Sequence, residues 1–439
     1  MVFLLTLIFL VFYFVRPQDF TGGAMQGERI VLYILGTTLS IWAVKMILNQ
    51  KILIRNPKDI FVIGLFIAVI VSTLTVRWAA YTIDTVILFG KAALVYFLIS
   101  DILNSPGKFK IFLWTIVVCV FIVGVLGILQ YYGHDIMGIA PFVGVELKDG
   151  ALIEVKRIRG VGLFDTNQLA YLMGFALPFA YALFKLTRNF ILKICLLIFS
   201  FVYAVATYFT LSRGGILAFA AAIGFLYLLR KGATSKFFMV IAVGFLILFL
   251  TTTPTRLGTI GGFKSDSSSQ GRLNAWYAGA QAWKESPVIG VGVNTYVDHF
   301  KIAAHNAVVQ VIVETGVFGF FFWLGLMYFT FKALTRLMKK YAGTDQNWIF
   351  VFSFSLLATF FQLLVSCCFS NGAAYNFYTF IFFGVVTALE EYAMQQEAKA
   401  QAKEVTRGML VQFNDIVKIC VVMIIVIIVW KVVLTTALV

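Results

Sequence analysis

An all-α, polytopic integral membrane protein with about 12–13 transmembrane helices is the fold class this sequence predicts. The first observation is compositional: 61% of the 439 residues are hydrophobic and only 13% charged, with a mean hydropathy of +0.93. Soluble domains are about half apolar and a quarter charged, so the surplus points to lipid exposure. The second is segmental, because apolar stretches near the length of about 20 residues needed to span a bilayer follow one another almost end to end. The third is the placement of Lys and Arg, which fall in every second connection.

Taken in order, the apolar segments lie near 2–15, 30–48, 60–76, 80–99, 109–130, 168–186, 190–210, 214–230, 237–253, 307–330, 348–368, 376–393 and 416–436. Met1 to Val15 runs into Arg16-Pro17 without a small-residue cleavage site, which predicts a retained first span. With the N-terminus inside, the even-numbered connections carry Lys51/Arg55/Lys58, Lys108/Lys110, Lys185/Arg188/Lys193, Arg230/Lys231/Lys236, Lys332/Arg336/Lys339/Lys340 and Lys399/Lys403/Arg407. All are basic, as cytoplasmic loops should be, whereas the short odd-numbered turns hold Arg77, Arg213 or no charge. Residues 1–439 are expected to form a single transmembrane domain, and 390–415, rich in Glu, Gln, Ala and Lys, a cytoplasmic linker.

Two connections on the predicted outer side are long and basic, at 131–167 and 254–304. The second exceeds what a connector usually needs and contains a Gly/Ser-rich piece followed by a helix-like stretch, Arg272 to Trp283. Chemistry is expected in these loops. The net charge of +15 is scattered between apolar segments with no basic tract, which argues against nucleic acid. Five cysteines sit within apolar stretches without metal-ligand spacing and are expected to be inert thiols.

Arginine forms the first constellation: Arg157 and Arg159 in the first long loop, Arg213 in Leu211-Ser212-Arg213-Gly214-Gly215, Arg256 and Arg272 in the second. Guanidinium matches phosphate oxygens bidentately and keeps its charge where hydration is poor, so convergent arginines at a lipid boundary predict a diphosphate clamp. Snorkelling to headgroups is the alternative, and is favoured for Arg16, Arg29 and Arg77. At Arg213 the following glycines open a helix N-terminus whose N–H groups attract anions. In Gly271-Arg272-Leu273-Asn274-Ala275-Trp276, the helix is expected to turn Arg272 to a cavity and Trp276 to the interface.

Ala304-His305-Asn306, leading to Gln310 and Glu314, is the second constellation. Asn306, Gln310 and Glu314 are spaced i, i+4, i+8 and share one helical face, and polar groups at membrane depth face a cavity or the bundle interior. His305 crowns that face and suits a general base acting on a sugar hydroxyl, its alternative being a helix cap. His134 and His299 lack such company. Gly316 and Gly319 are expected to permit close helix packing. Asp84 and Lys91 share a face of the fourth segment; either they help neutralise one another through a network or Lys91 reaches a ligand phosphate.

The sequence has no Asp-x-Asp pair, no Gly-x-x-x-x-Gly-Lys loop and no zinc-spaced His cluster. A reaction without metal, nucleotide or other cofactor, on a preactivated donor such as a lipid diphosphate sugar, is the expectation.

Several of these pieces together resemble the O-antigen ligase and polymerase superfamily, the membrane glycosyltransferases sharing a Wzy_C region. They are Arg16-Pro17, Arg159-Gly160-Val161-Gly162-Leu163-Phe164-Asp165-Thr166-Asn167-Gln168, Leu211-Ser212-Arg213-Gly214-Gly215, Gly271-Arg272-Leu273, Pro287-Val288-Ile289-Gly290-Val291-Gly292, and His305-Asn306 followed by Glu314-Thr315-Gly316 and Gly319. The resemblance implies a GT-C-like bundle with a long helical periplasmic loop in a bacterial inner membrane. It further implies inverting transfer of a glycan from undecaprenyl diphosphate at the outer face. Arg213, Arg256 and Arg272 would hold the diphosphate and His305 would act on the acceptor hydroxyl; beside that pattern, Arg159 is expected to join the diphosphate set, with Asn167, Asn306, Glu314 and Lys91 in support. The final apolar segment makes a thirteenth span where such ligases have twelve. The acceptor would be lipid A core for a ligase, a second lipid-linked glycan for a polymerase, or a protein hydroxyl for an O-oligosaccharyltransferase; the modest loops favour the ligase. An anion or bicarbonate transporter is the competing class, with the arginines lining a path.

Overall fold

A computed structural model describes residues 1–20, 29–76, 79–134, 142–148, 151–160, 165–228, 267–296, 303–371, 375–400 and 411–437. These residues form the expected all-α polytopic protein, with thirteen α-helices, ten of them long and apolar enough to cross a membrane. The helices are α1 (Val2–Phe14), α2 (Arg29–Leu48), α3 (Pro57–Val76), α4 (Ala79–Ile102), α5 (Pro106–Tyr131), α6 (Thr166–Leu186) and α7 (Phe190–Phe209). They continue with α8 (Arg213–Leu228), α9 (Ser267–Glu285), α10 (Ala307–Tyr341), α11 (Asn347–Cys367), α12 (Phe377–Ala400) and α13 (Phe413–Ala437). The segment expected at 237–253 lies outside the described residues.

The helix starts follow local chemistry. Pro57 and Pro106 open α3 and α5, where a missing N–H is no loss. Asp165 caps α6 by accepting the Gln168 N–H at 2.7 Å, and Asn189 caps α7 through Ile191 and Leu192. The first long loop adds one feature to the all-α expectation, an antiparallel hairpin of β1 (Phe142–Lys148) and β2 (Ala151–Arg157), in register from Phe142↔Arg157 to Lys148↔Ala151. The signal for it was Asp149-Gly150 between alternating apolar residues, a pairing that favours two-residue hairpin turns.

The chain forms two compact units, each assembled from three separated stretches. The first comprises residues 1–49, 102–258 and 337–366. Its centre is α6, almost wholly buried. Gln362 of α11 donates to the Tyr171 carbonyl at 3.1 Å, against Gly174, where a side chain would crowd the Gln362 amide. Phe225 stacks on Phe361 at 4.8 Å, Phe121 on Phe199 at 4.1 Å, and the Tyr203 hydroxyl donates to the Val117 carbonyl at 2.6 Å.

The second unit comprises residues 50–101, 259–336 and 367–439. One end of it holds a buried charge network that loop-level reading missed. Lys58, 1% exposed, is paired with Glu390, which also accepts from Asn56 and Arg336, both at 2.7 Å. Arg55 reaches Asp101 at 3.2 Å and Glu391 at 3.4 Å. Lys58 and Arg55 are therefore more than solvated topology signals. The stretch expected as a linker from residue 390 begins inside the core, because α12 stays helical to Ala400. The last apolar segment is a 25-residue helix, α13, almost wholly exposed along its length. It is pinned near its start by Asp415, which accepts from Lys332 and Tyr328 at 2.7 and 2.8 Å, and further on by Trp430 against Trp283, ring centroids 6.0 Å apart. All five cysteines are free, Cys119 and Cys367 buried, Cys195 and Cys420 half-buried and Cys368 exposed.

Candidate functional site

In the first unit, Asn167, Arg157 and the Leu211-Ser212-Arg213 motif meet at the start of α8. Leu211 takes a left-handed backbone (φ 49°), and Ser212 then caps the helix: its Oγ accepts the Gly215 N–H at 3.0 Å and donates to Asn167 Oδ1 at 2.7 Å. Asn167, at the start of α6, is thereby fixed to the Leu211-Ser212-Arg213 motif. Gly215 is glycine because a Cβ there would strike Ala170. Its N–H belongs to the cap rather than to an anion, while the positive end of the helix and the half-buried Arg213 remain at the motif. Arg157 is built into the same corner, with Nε donating to the Thr210 carbonyl at 2.8 Å, while the Ile158 N–H bonds the Phe209 carbonyl. Arg159, two residues on, stands exposed. Arg256 and His299 lie outside the described residues, and His134 is exposed at the end of α5.

In the second unit, α9 carries Arg272, half-buried. Three side chains anchor that helix. The Trp276 indole N–H donates to the Ala304 carbonyl at 2.7 Å, the Tyr296 hydroxyl to the Ala275 carbonyl at 2.5 Å, and the Trp283 indole to the Pro287 carbonyl at 3.1 Å. Burial, with Glu314 acting the same way, pushes the Tyr296 phenol up and keeps it a donor. Trp276 therefore does not simply face the interface as expected: being i+4 from Arg272 it shares that face, and it turns inward to hold the residue before His305.

His305 is half-exposed in a left-handed conformation (φ 48°), an arrangement that costs energy in a residue with a side chain. Its neighbours hold it. Ala304 is fixed by Trp276, and the Asn306 N–H donates to Asn371 Oδ1 at 3.1 Å. Asn306 caps α10 by accepting from Val308 and Val309 at 2.9 and 3.1 Å. Of the three polar residues predicted to share a face, Gln310 and Glu314 are joined directly at 3.1 Å, and Asn306 turns back to the helix end.

Gly316 is not a packing glycine. It breaks α10 with φ 63° and ψ −170°, and the backbone of residues 287–295 docks in the break. Val291 and Gly292 donate to the Val313 and Glu314 carbonyls at 3.0 and 3.1 Å, and Val317 and Phe318 donate back to Pro287 and Val288 at 2.9 and 3.1 Å. A Cβ on Gly290 (φ 77°) would collide with the Glu314 carbonyl, and one on Gly316 with that of Val288, so both positions require glycine. Ser72 of α3 locks the joint by donating to the Glu314 carbonyl and accepting the Gly292 N–H. Asn294 closes it with its N–H on Glu314 Oε1 at 3.1 Å. The two glycine motifs visible in the sequence are thus the two halves of one interlock, recognisable only once paired.

Of the residues on α4, Lys91 is half-buried and Asp84 exposed, and no direct ion pair joins them among the described residues. Residues 196–324 match the Wzy_C family, described as O-antigen ligase, a stretch holding Arg213, Arg256, Arg272, His305, Asn306 and Glu314. No curated protein matches the chain.

Proposed function

We propose, for a chain that carries the Wzy_C region of the O-antigen ligase and polymerase superfamily, that it is a membrane glycosyltransferase moving a glycan from undecaprenyl diphosphate to an acceptor at the outer face of a bacterial inner membrane. Within that class we assign it as an O-antigen ligase, joining O-antigen to lipid A core. One observation carries the proposal: Trp276, a helical turn from Arg272, holds the Ala304 carbonyl, so the helix bearing a phosphate-binding cation and the loop bearing His305 are tied by a 2.7 Å hydrogen bond.

In the reaction, His305 takes the proton from the acceptor hydroxyl as its oxygen attacks the anomeric carbon. The anomeric C–O bond to the diphosphate breaks, its electron pair leaves with the phosphate oxygen, and the configuration inverts. Arg272 binds that developing charge, and fixed guanidinium groups suit it better than ammonium; Arg213, Arg159 and Arg256 are each assigned to diphosphate binding by their motifs. Asn306 and Glu314 position the His305 loop, Asn167 the Arg213 corner, and Lys91 adds positive charge.

The test is an acceptor panel. Purified protein in nanodiscs with EDTA receives labelled undecaprenyl diphosphate glycan together with lipid A core, a second lipid-linked glycan, or a Ser/Thr peptide. Label on lipid A core is the expected result. Label on the second glycan or the peptide would replace the ligase assignment by a polymerase or a protein glycosyltransferase.

A further inference from the structure

We propose that α13 is a brace for the loop helix α9, and that Trp430 is a positioning residue that sets where Arg272 stands. The role given to Arg272 rests on the transferase reading; the brace itself rests on contacts inside the second unit. An apolar helix at the side of a bundle needs no purpose beyond sitting in lipid, and much of α13 does only that, with Val421, Ile424, Ile425, Ile428 and Val429 exposed. Its buried residues among those described are Asp415, Ile419, Trp430 and Leu434, which fall on one stripe of the helix.

The two ends of that stripe grip different elements. Asp415 accepts from Lys332 at 2.7 Å on each oxygen–nitrogen contact and from Tyr328 at 2.8 Å, both residues lying in the C-terminal half of α10. Trp430 is about 22 Å further along the helix, at the usual rise per residue. There its ring packs against Trp283 of α9, with centroids 6.0 Å apart and planes at 52°. A tryptophan near the end of a span ordinarily rests among headgroups. Trp430 is 9% exposed and is covered by protein instead.

Trp283 stands where α9 meets the interlock. Its indole N–H donates to the Pro287 carbonyl at 3.1 Å, and the same carbonyl accepts the Val317 N–H at 2.9 Å from beyond the break in α10. Trp276 and Tyr296 hold α9 at a different place, through the Ala304 and Ala275 carbonyls. Those bonds make a pivot, with Arg272 on one side of it and Trp283 on the other. With the Trp283 end loosened, α9 can tilt about the pivot and carry Arg272 with it. Guanidinium recognition of a diphosphate is directional, so a shift of about 1 Å matters there.

The test uses the full chain in nanodiscs, following hydrogen–deuterium exchange in residues 267–285 beside donor and acceptor KM for transfer. Trp430→Ala is expected to speed exchange in α9 about two- to tenfold, the size of one aromatic pair. Donor KM should rise by a similar factor, with acceptor KM unchanged. Trp430→Phe, which keeps a ring against Trp283, should restore both. Asp415→Ala, which frees the far end of α13, should move both in the same direction by less. Wild-type exchange in the Trp430→Ala helix would overturn the brace, as would an Asp415→Ala chain identical to wild type, since a brace needs both ends. So would faster exchange throughout the second unit, which is general loosening, or faster exchange in α9 with donor KM unchanged. A wild-type protein that transfers nothing, in which Trp430→Ala still frees α9, would sink the transferase reading and keep the brace.

Discussion

His305 and Leu211 share a backbone habit. Each takes a left-handed conformation immediately before a polar cap, Asn306 or Ser212, that opens a helix. Residues with side chains hold that conformation only where their surroundings enforce it. For His305 the enforcing contacts are Trp276 on one side and Asn371 on the other. Replacing His305 by Ala should slow transfer by about 10²–10⁴-fold, the usual worth of a positioned acid or base, with the unfolding temperature unchanged. Trp276→Phe, which keeps the ring and removes the N–H, should lower kcat by about tenfold while leaving donor KM near wild type. Arg213→Lys should cost about 10²-fold or more, since a point charge does not reproduce the bidentate fork; a wild-type rate there would remove Arg213 from the phosphate-binding set. His305, Asn306 and Glu314 were legible in the sequence because polar groups at membrane depth stand out against apolar neighbours. The partners of Trp276 and Asn371 were not, because a tryptophan or asparagine near a membrane boundary is common and its partner is set by another element.

At the scale of elements, residues 287–295, which follow the helix bearing Arg272, interlock with the break in α10, the helix that begins just after His305. The cost of failure is concentrated at two glycines. Gly290→Ala or Gly316→Ala should destabilise the second unit by roughly 1–3 kcal/mol through strained backbone, before the collision with the facing carbonyl is added. The readout is a lower unfolding temperature together with lost transfer. A stable and active Gly316→Ala chain would contradict the interlock. The sequence displayed both glycine motifs but not their pairing: close packing of helices uses the same spacing, and only the positive φ values distinguish a break from a contact. The hairpin at 142–157 was readable from Asp149-Gly150, yet a length-and-hydropathy scan passes over strands too short to span.

Across the whole molecule, the length and apolarity of the segments told most of the fold, because every apolar stretch long enough to span a bilayer must close its own backbone hydrogen bonds as a helix. What they hid was which charges leave the water. Lys58 looked like one more basic loop residue and is instead buried against Glu390. Lys58→Met alone should destabilise the protein by about 1.5–3 kcal/mol, the worth of a hydrogen bond to a charged group, because Glu390 keeps Arg336 and Asn56, measured by thermal unfolding in detergent. The central claim, glycan transfer from a lipid diphosphate with His305 as base, is tested most directly by release of the carrier. Wild type in nanodiscs, with EDTA and no nucleotide, should release one undecaprenyl diphosphate for each glycan transferred, and the His305→Ala chain should do so about a hundredfold more slowly or worse. No release with any acceptor from a folded wild-type protein, or an undiminished rate in His305→Ala, would contradict it.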